Sequence, residues 1–253
     1  MQPIAQALLI VCPLMLLAGF VDAIAGGGGL ISLPAYYLVG LPPTLAAGTN
    51  KLAAAMGTTL AVFNYGRSGY IKREVGLTAA MGAFVCSVLG VLLMKQLDDP
   101  VIRWLVVGCI PFAAFFTLRG GKTAGQPPEH SFRQTVALSF GIGCSVGFYD
   151  GLIGPGTGTF LILLFMRFFG MDAVLASGTA KVVNLSSNLA ALISLLITGD
   201  VLIILGLPAG VCAMLGALVG SRLTIRRGSK FVRIMMLMVL GLLLAKLCMD
   251  MIR

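Results

Sequence analysis

Charge is what this 253-residue chain has least of: 11% of its residues are Asp, Glu, Lys or Arg, against 58% hydrophobic. Soluble domains carry about twice that charged fraction, so the composition excludes an ordinary water-facing globular surface. Basic residues are missing altogether before Lys51, although residues 4–20 are apolar and "AIA" at 23–25 resembles a cleavage site. A secretory signal opens on a positive segment, so the N-terminal stretch reads as a lasting helix and not as a leader. The six cysteines, Cys12, Cys86, Cys109, Cys144, Cys212 and Cys248, stand singly in apolar runs. None has metal-ligand spacing, which argues against zinc or a disulfide framework and for small buried hydrophobes. The single histidine, His130, lies in the most polar loop, a solvated position. No metal site, cofactor or catalytic residue is predicted.

What the chain has instead is apolar runs near the roughly 20 residues that a spanning helix needs. Hydrophobic stretches and breakers predict helical segments near 5–25, 30–40, 43–65, 75–97 and 100–118. The polar loop "RGGKTAGQPPEH" at 119–130 is the longest interruption. A second set follows near 134–153, 159–169, 172–198, 201–221 and 230–250. The expected fold is an all-α membrane protein, a polytopic helical bundle.

The two sets repeat each other. "GFVDAIAGGGG" at 19 matches "GFYDGLIGPGT" at 147, aligning Asp22 with Asp150, Gly26 with Gly154 and Gly28 with Gly156. Two inserted residues later, "GLPPTLAAGTNK" at 40 matches "GMDAVLASGTAK" at 170, aligning Lys51 with Lys181. The predicted organisation is a first repeat over 1–122, a cytoplasmic linker over 123–133 and a second repeat over 134–253.

Basic residues set the orientation, because cytoplasmic loops carry the excess of Lys and Arg. Arg67, Lys72 and Arg73 form one cluster, Arg119, Lys122 and Arg133 another, and the residues from Arg222 to Arg233 a third. The turns "LDDP" at 97–100 and "TGD" at 198–200 are acidic and belong outside. This pattern inverts one half relative to the other and puts the N-terminus on the periplasmic side. It also accounts for the net charge of +9 without nucleic acid. Inverted repeats with broken helices are a common architecture of secondary transporters, whose sites lie at the repeat interface near the midplane.

Gly26–Gly29 and "GPGTGT" at 154–159 predict helix breaks, since glycine is costly inside a helix. Irregular backbone at membrane depth survives only where protein or a watery cavity satisfies it. The short segment after each break aims its N-terminus and positive dipole end inward, with Gly27, Gly28, Gly156 and Thr157 as the candidate backbone cradle. Close helix packing is the competing explanation for these glycines. Lys51 lies eight residues past Pro43, roughly 12 Å along a helix, against a half-thickness of about 15 Å. Lys181 reaches similar depth from the other face. A lysine there costs about 2.5–3.5 kcal/mol to insert and requires a counter-charge. Two sources fit: structural ion pairs with Asp22 and Asp150, or a bound anion held by Lys51, Lys181, Thr49, Thr179, Asn50 and the helix ends. Asn184, Ser186, Ser187 and Asn188 of "NLSSN" either line that cavity or hold helices together. Asp22 and Asp150 either carry coupling protons or hold the broken segments.

In "GFVDAIAGGGGLISLP", "GTNKL", "GFYDGLIGPGTGTF" and "SGTAKVVN" the chain resembles the TauE/SafE (TSUP) family of bacterial membrane permeases, over nearly its whole length. The resemblance implies an inner-membrane carrier for sulfur-containing anions: sulfite, thiosulfate, or organosulfonates such as sulfoacetate. Ala180 stands where the first copy has Asn50, so the site is not symmetric. An anion channel is the alternative that the lysines also suit. An intramembrane aspartyl protease needs its two acids to share a proton. The anion, its direction, the coupling ion and any homo-oligomer stay open.

Overall fold

The computed structural model describes residues 3–98, 101 and 130–252, with no side-chain description at 240 and 242–252. The described residues contain helices and no strand. In chain order they are α1 (Ile4–Ala25), α2 (Gly29–Leu38), α3 (Pro43–Arg67), α4 (Arg73–Met94), α5 (Phe132–Leu152), α6 (Thr157–Phe169), α7 (Ala173–Ile197) and α8 (Ile203–Ile252). These match the predicted segments within a few residues. The segment expected at 100–118 and most of the polar linker lie outside the described residues.

Among the described residues, α1, α4, α5, α7 and α8 as far as Val239 are long and apolar enough to cross a bilayer. The chain is a multi-pass membrane protein. α3 is as long as α7 but is not among the five, because Thr49, Asn50, Lys51 and its glycines dilute its apolar character. The exposed side chains of α4, among them Leu77, Met81, Val85 and Leu92, are those of a lipid-facing surface, since lipid and not water is their solvent.

The breaks fall where expected. α1 stops at Gly26, whose φ of 77° gives a left-handed cap with its N–H on the Asp22 carbonyl at 2.9 Å. Such a φ is costly for residues with a Cβ. A side chain at Gly26 would also collide with the Gly158 backbone, so the two breaks lie against each other. Thr159 Oγ1 closes the contact by donating to the Ala25 carbonyl at 2.7 Å.

One break differs from expectation. The sequence suggests a basic loop between 221 and 230, but α8 stays helical on both sides of a single kink at Gly228, with φ 73° and ψ −168°. One residue without a Cβ makes the whole turn. Arg222, Arg226, Arg227, Lys230 and Arg233 therefore project from helix and are exposed. His130, expected in solvent, is half-buried with Nε2 3.0 Å from the Phe168 carbonyl.

Helices of the first half pack mainly on helices of the second: α1 on α8, α4 on α5, and α3 and α4 on α7. Glycines permit the approach. A Cβ at Gly19 would strike the Ala213 carbonyl, and one at the matching Gly147 would strike Ala83. Close backbone approach of this kind is how helices associate where lipid removes the hydrophobic driving force. Lys95 at the end of α4 pairs with Asp200 after α7 at 2.7 Å, which brings these two helix ends to one face of the bundle.

Candidate functional site

Two lysines and two aspartates meet where the broken helices cross. Lys51 extends from α3 to Asp150 near the end of α5, with Nζ 2.7 Å from Oδ2, and gives a second hydrogen bond to Asn188 Oδ1 at 3.0 Å. Lys181 extends from α7 to Asp22 near the end of α1, with Nζ 2.8 Å from Oδ2. Each lysine thus takes its acid from the other half of the chain. An isolated charge withdrawn from water costs several kcal/mol, and removing one partner of a buried pair costs about as much. The pairs therefore fasten the halves together.

The two pairs differ in their surroundings. Asp150 also accepts from Ser187 Oγ at 2.6 Å, and Thr157 Oγ1 lies 2.9 Å from its Oδ1 and 2.6 Å from the Gly154 carbonyl. Its side chain is 7% exposed and that of Lys51 9%. Asp22 has Lys181 and one long contact, the Gly28 N–H at 3.4 Å. Its side chain is 28% exposed, whereas Lys181 is fully buried.

A cavity of about 70 Å³ opens beside these groups, room for a few waters or one small oxyanion. Of the residues singled out by sequence, Asn50, Lys51, Gly28, Thr157, Asn184 and Asn188 line it, as do Asp22 and Asp150. Asn50 Oδ1, Asn184 Oδ1 and Thr58 Oγ1 are buried there without a hydrogen-bond partner. An unmet buried polar group costs about 1–3 kcal/mol. A side-chain amide can turn to present either its oxygen or its NH₂, so Asn50 and Asn184 are suited to a polar guest. Lys51 has three N–H donors, of which two are engaged by protein.

Other expected residues lie elsewhere. Lys181 is behind Asp22 and does not line the cavity; neither do Gly27 and Gly156. The Thr49 and Thr179 hydroxyls correct the sequence reading. Thr49 Oγ1 donates to the Leu45 carbonyl at 2.7 Å and accepts the Leu202 N–H at 3.0 Å. Thr179 Oγ1 donates to the Leu175 carbonyl at 2.8 Å and accepts the Lys72 N–H at 3.0 Å. Each hydroxyl satisfies an orphan N–H at the start of a neighbouring helix and is not free for a ligand. In "NLSSN", Ser186 donates to the Ala80 carbonyl at 2.7 Å and joins helices, while Asn184, Ser187 and Asn188 face the site. Thr58 is a cavity residue that the sequence reading did not single out. Thr58 lies two turns from Lys51 on the same face of α3, a spacing that points to it.

A multi-pass helical bundle whose buried charges surround a small polar cavity at paired helix breaks has the construction of a membrane transporter. Comparison with known proteins gives the family: residues 11–247 match "Sulfite exporter TauE/SafE", and the chain belongs to it. A probable membrane transporter protein, ORF9, of Sinorhizobium sp is 34% identical over 235 residues, covering 92% of this chain and 89% of that protein. The probable membrane transporter protein YfcA of Escherichia coli K12 is 34% identical over 257 residues, covering 97% and 94%. A more distant relative, the probable membrane transporter protein YunE of Bacillus subtilis, is 23% identical over 267 residues, covering 94% and 96%. The protein is a membrane transporter and not an enzyme. Asp22 and Asp150 each face a lysine, whereas an aspartyl protease needs them to share a proton.

Proposed function

We propose that the chain is a secondary carrier for a small sulfur-containing oxyanion, sulfite, thiosulfate or an organosulfonate such as sulfoacetate, in a bacterial inner membrane. The observation that carries this reading is the cavity itself, where the Lys51 ammonium and the unpartnered amides of Asn50 and Asn184 converge beside the α1–α2 break. A sulfur oxyanion offers several acceptor oxygens to such donors, and charge-assisted bonds are the stronger ones. Asn188 and Thr157 complete the lining, and Lys181 contributes its charge from behind Asp22.

The halves act as inverted repeats, 1–122 and 134–253 joined by the 123–133 linker, with the N-terminus periplasmic and the site near the midplane. Support comes from recurring contacts: Thr49 with Leu202 and Thr179 with Lys72, Lys51 with Asp150 and Lys181 with Asp22. Rocking one half against the other around the cavity gives alternating access. The test is uptake of labelled sulfite and sulfoacetate by liposomes containing the purified chain, with chloride as control. Saturable uptake and counterflow are expected. Large, unsaturable currents would make it a channel, and no flux of any sulfur oxyanion would overturn the reading.

A further inference from the structure

The two ion pairs occupy matching positions, but their supporting residues do not match. Ser187 and Thr157, which place hydroxyls against Asp150, align with Gly57 and Gly29 in the first half. Asn188, which accepts from Lys51, aligns with Thr58, whose hydroxyl has no partner. Gly57, Gly29 and Thr58 all line the cavity. The hydroxyls that face Asp150 therefore have no counterpart on Asp22, whose contacts among the described residues are Lys181 and the Gly28 N–H. Both acids line the cavity, but Asp22 is the more open of the two, its side chain 28% exposed against 7% for Asp150.

From this asymmetry we infer that Asp22 alone is the exchangeable acid: it takes up the proton that travels with each anion, while Asp150 stays ionised as a fixed strut. This deepens the carrier reading above and rests on it. As an ionised carboxylate lining the cavity, Asp22 repels an entering anion. With a proton from water on one oxygen, Asp22 becomes neutral and gains an O–H donor. Lys181, fully buried, then has no counter-charge, and the anion beside Asp22 supplies it. With both acids ionised the two lysines are balanced, so one proton is needed for each negative charge brought in. Asp150 does not exchange in this way, because Lys51 and Ser187 hold one oxygen and the Thr157 hydroxyl faces the other.

Among the described residues, the charged and titratable groups around Asp22 are few. α7 contributes Lys181; α3 contributes Lys51 across the cavity and Tyr65, whose hydroxyl is tied to the Ala23 carbonyl at 2.9 Å. α5 contributes Asp150. The cavity-lining residues of α2, α6 and α8, such as Ser32, Gly158, Ala213 and Ala217, carry no charge. Lys181 is thus the one charged group paired with Asp22 among the described residues.

Two experiments on the full chain in liposomes test this. Dicyclohexylcarbodiimide, an apolar reagent for protonated carboxyls, is applied over a pH series and the modified peptides are identified by mass. Labelling of Asp22 that rises as pH falls, with Asp150 unlabelled, is expected; labelling of Asp150 as strong as that of Asp22, or none at Asp22, overturns the assignment. The second experiment imposes a gradient of methanesulfonate, a permanent monoanion, so any proton that moves is carried by the protein. One proton per anion is expected, and Asp22→Asn is expected to abolish proton movement. Anion flux without protons in the wild-type chain refutes the coupling role while leaving the carrier reading intact. Asp22 labelling without flux of any sulfur oxyanion refutes the carrier reading and leaves Asp22 as the exchangeable acid.

Discussion

Lys51 crosses from the first half of the chain to hold Asp150 in the second at 2.7 Å, with both side chains almost wholly withdrawn from solvent. The same ammonium borders the cavity, so under the proposed carrier function the contact serves stability and transport together. The two roles separate by mutation.

Lys51→Gln leaves Asp150 buried without its cation, at a cost of about 3–5 kcal/mol, or on the order of 10 °C in thermal midpoint for a chain of this size. Lys51→Gln combined with Asp150→Asn removes both charges and is expected to regain most of that loss. Neither variant is expected to move anions. Thermal unfolding in detergent and liposome uptake read the two effects. Anion flux in the double variant would show that Lys51 only fastens the helices.

Thr49 and Asn50 are neighbours on α3 with opposite expectations. Thr49→Val breaks the hydrogen bond from the Leu202 N–H and costs roughly 1–2 kcal/mol of stability, with anion affinity little changed. Asn50→Leu loses no hydrogen bond to the described residues and leaves stability little changed, but weakens anion binding by about tenfold, equivalent to ~1.4 kcal/mol. Unfolding and equilibrium binding of labelled sulfoacetate check both. The reverse pattern would return Thr49 to the site.

Gly26→Ala meets two obstacles, a left-handed backbone and the Gly158 backbone in the way of the new methyl. The first costs roughly 1–2 kcal/mol and the second about 1–3. The yield of monodisperse protein on size exclusion is expected to fall sharply. Wild-type yield would mean the two breaks are not in close contact.

Asp200 gives a pH-dependent contribution outside the membrane. Partial burial works to raise its carboxyl, but hydrogen bonds from Lys95 and Thr198 and the Lys95 charge outweigh it and hold the group below its ordinary range. A depressed folded pKa stabilises at pH values above the ordinary aspartate range, and the effect is lost as pH falls through the folded value. Asp200→Asn is expected to cost less than about 1 kcal/mol at neutral pH, since the pair is partly exposed, and nothing in strong acid. Thermal midpoints of both proteins at a series of pH values measure the difference. An undiminished difference at low pH would contradict the assignment.

Much of this molecule is readable without coordinates. The helix spans follow from apolar length, and the breaks at Gly26 and Gly154 follow from glycine in oil-like sequence. The pairing of Lys51 and Lys181 with Asp150 and Asp22 was one of two counter-charges open to them. What sequence hid was where hydroxyls point. Thr49 and Thr179 turn back to carbonyls on their own helix and to N–H groups of the next, which spacing alone does not reveal. The kink at Gly228 was hidden because a cluster of arginines reads as a loop whether or not helix continues through it. Extending the repeat past Lys51 and Lys181 sets Gly57 against Ser187, but that difference gains meaning only when Ser187 is seen to bond Asp150.

The most direct test of the account locates an anion. A structure of the chain with 2-bromoethanesulfonate, its bromine found by anomalous scattering, is predicted to place the sulfonate within hydrogen-bond reach of Lys51, Asn50 and Asn184, beside Asp22. A sulfonate bound elsewhere, with this cavity empty in a protein that transports the compound, would contradict it.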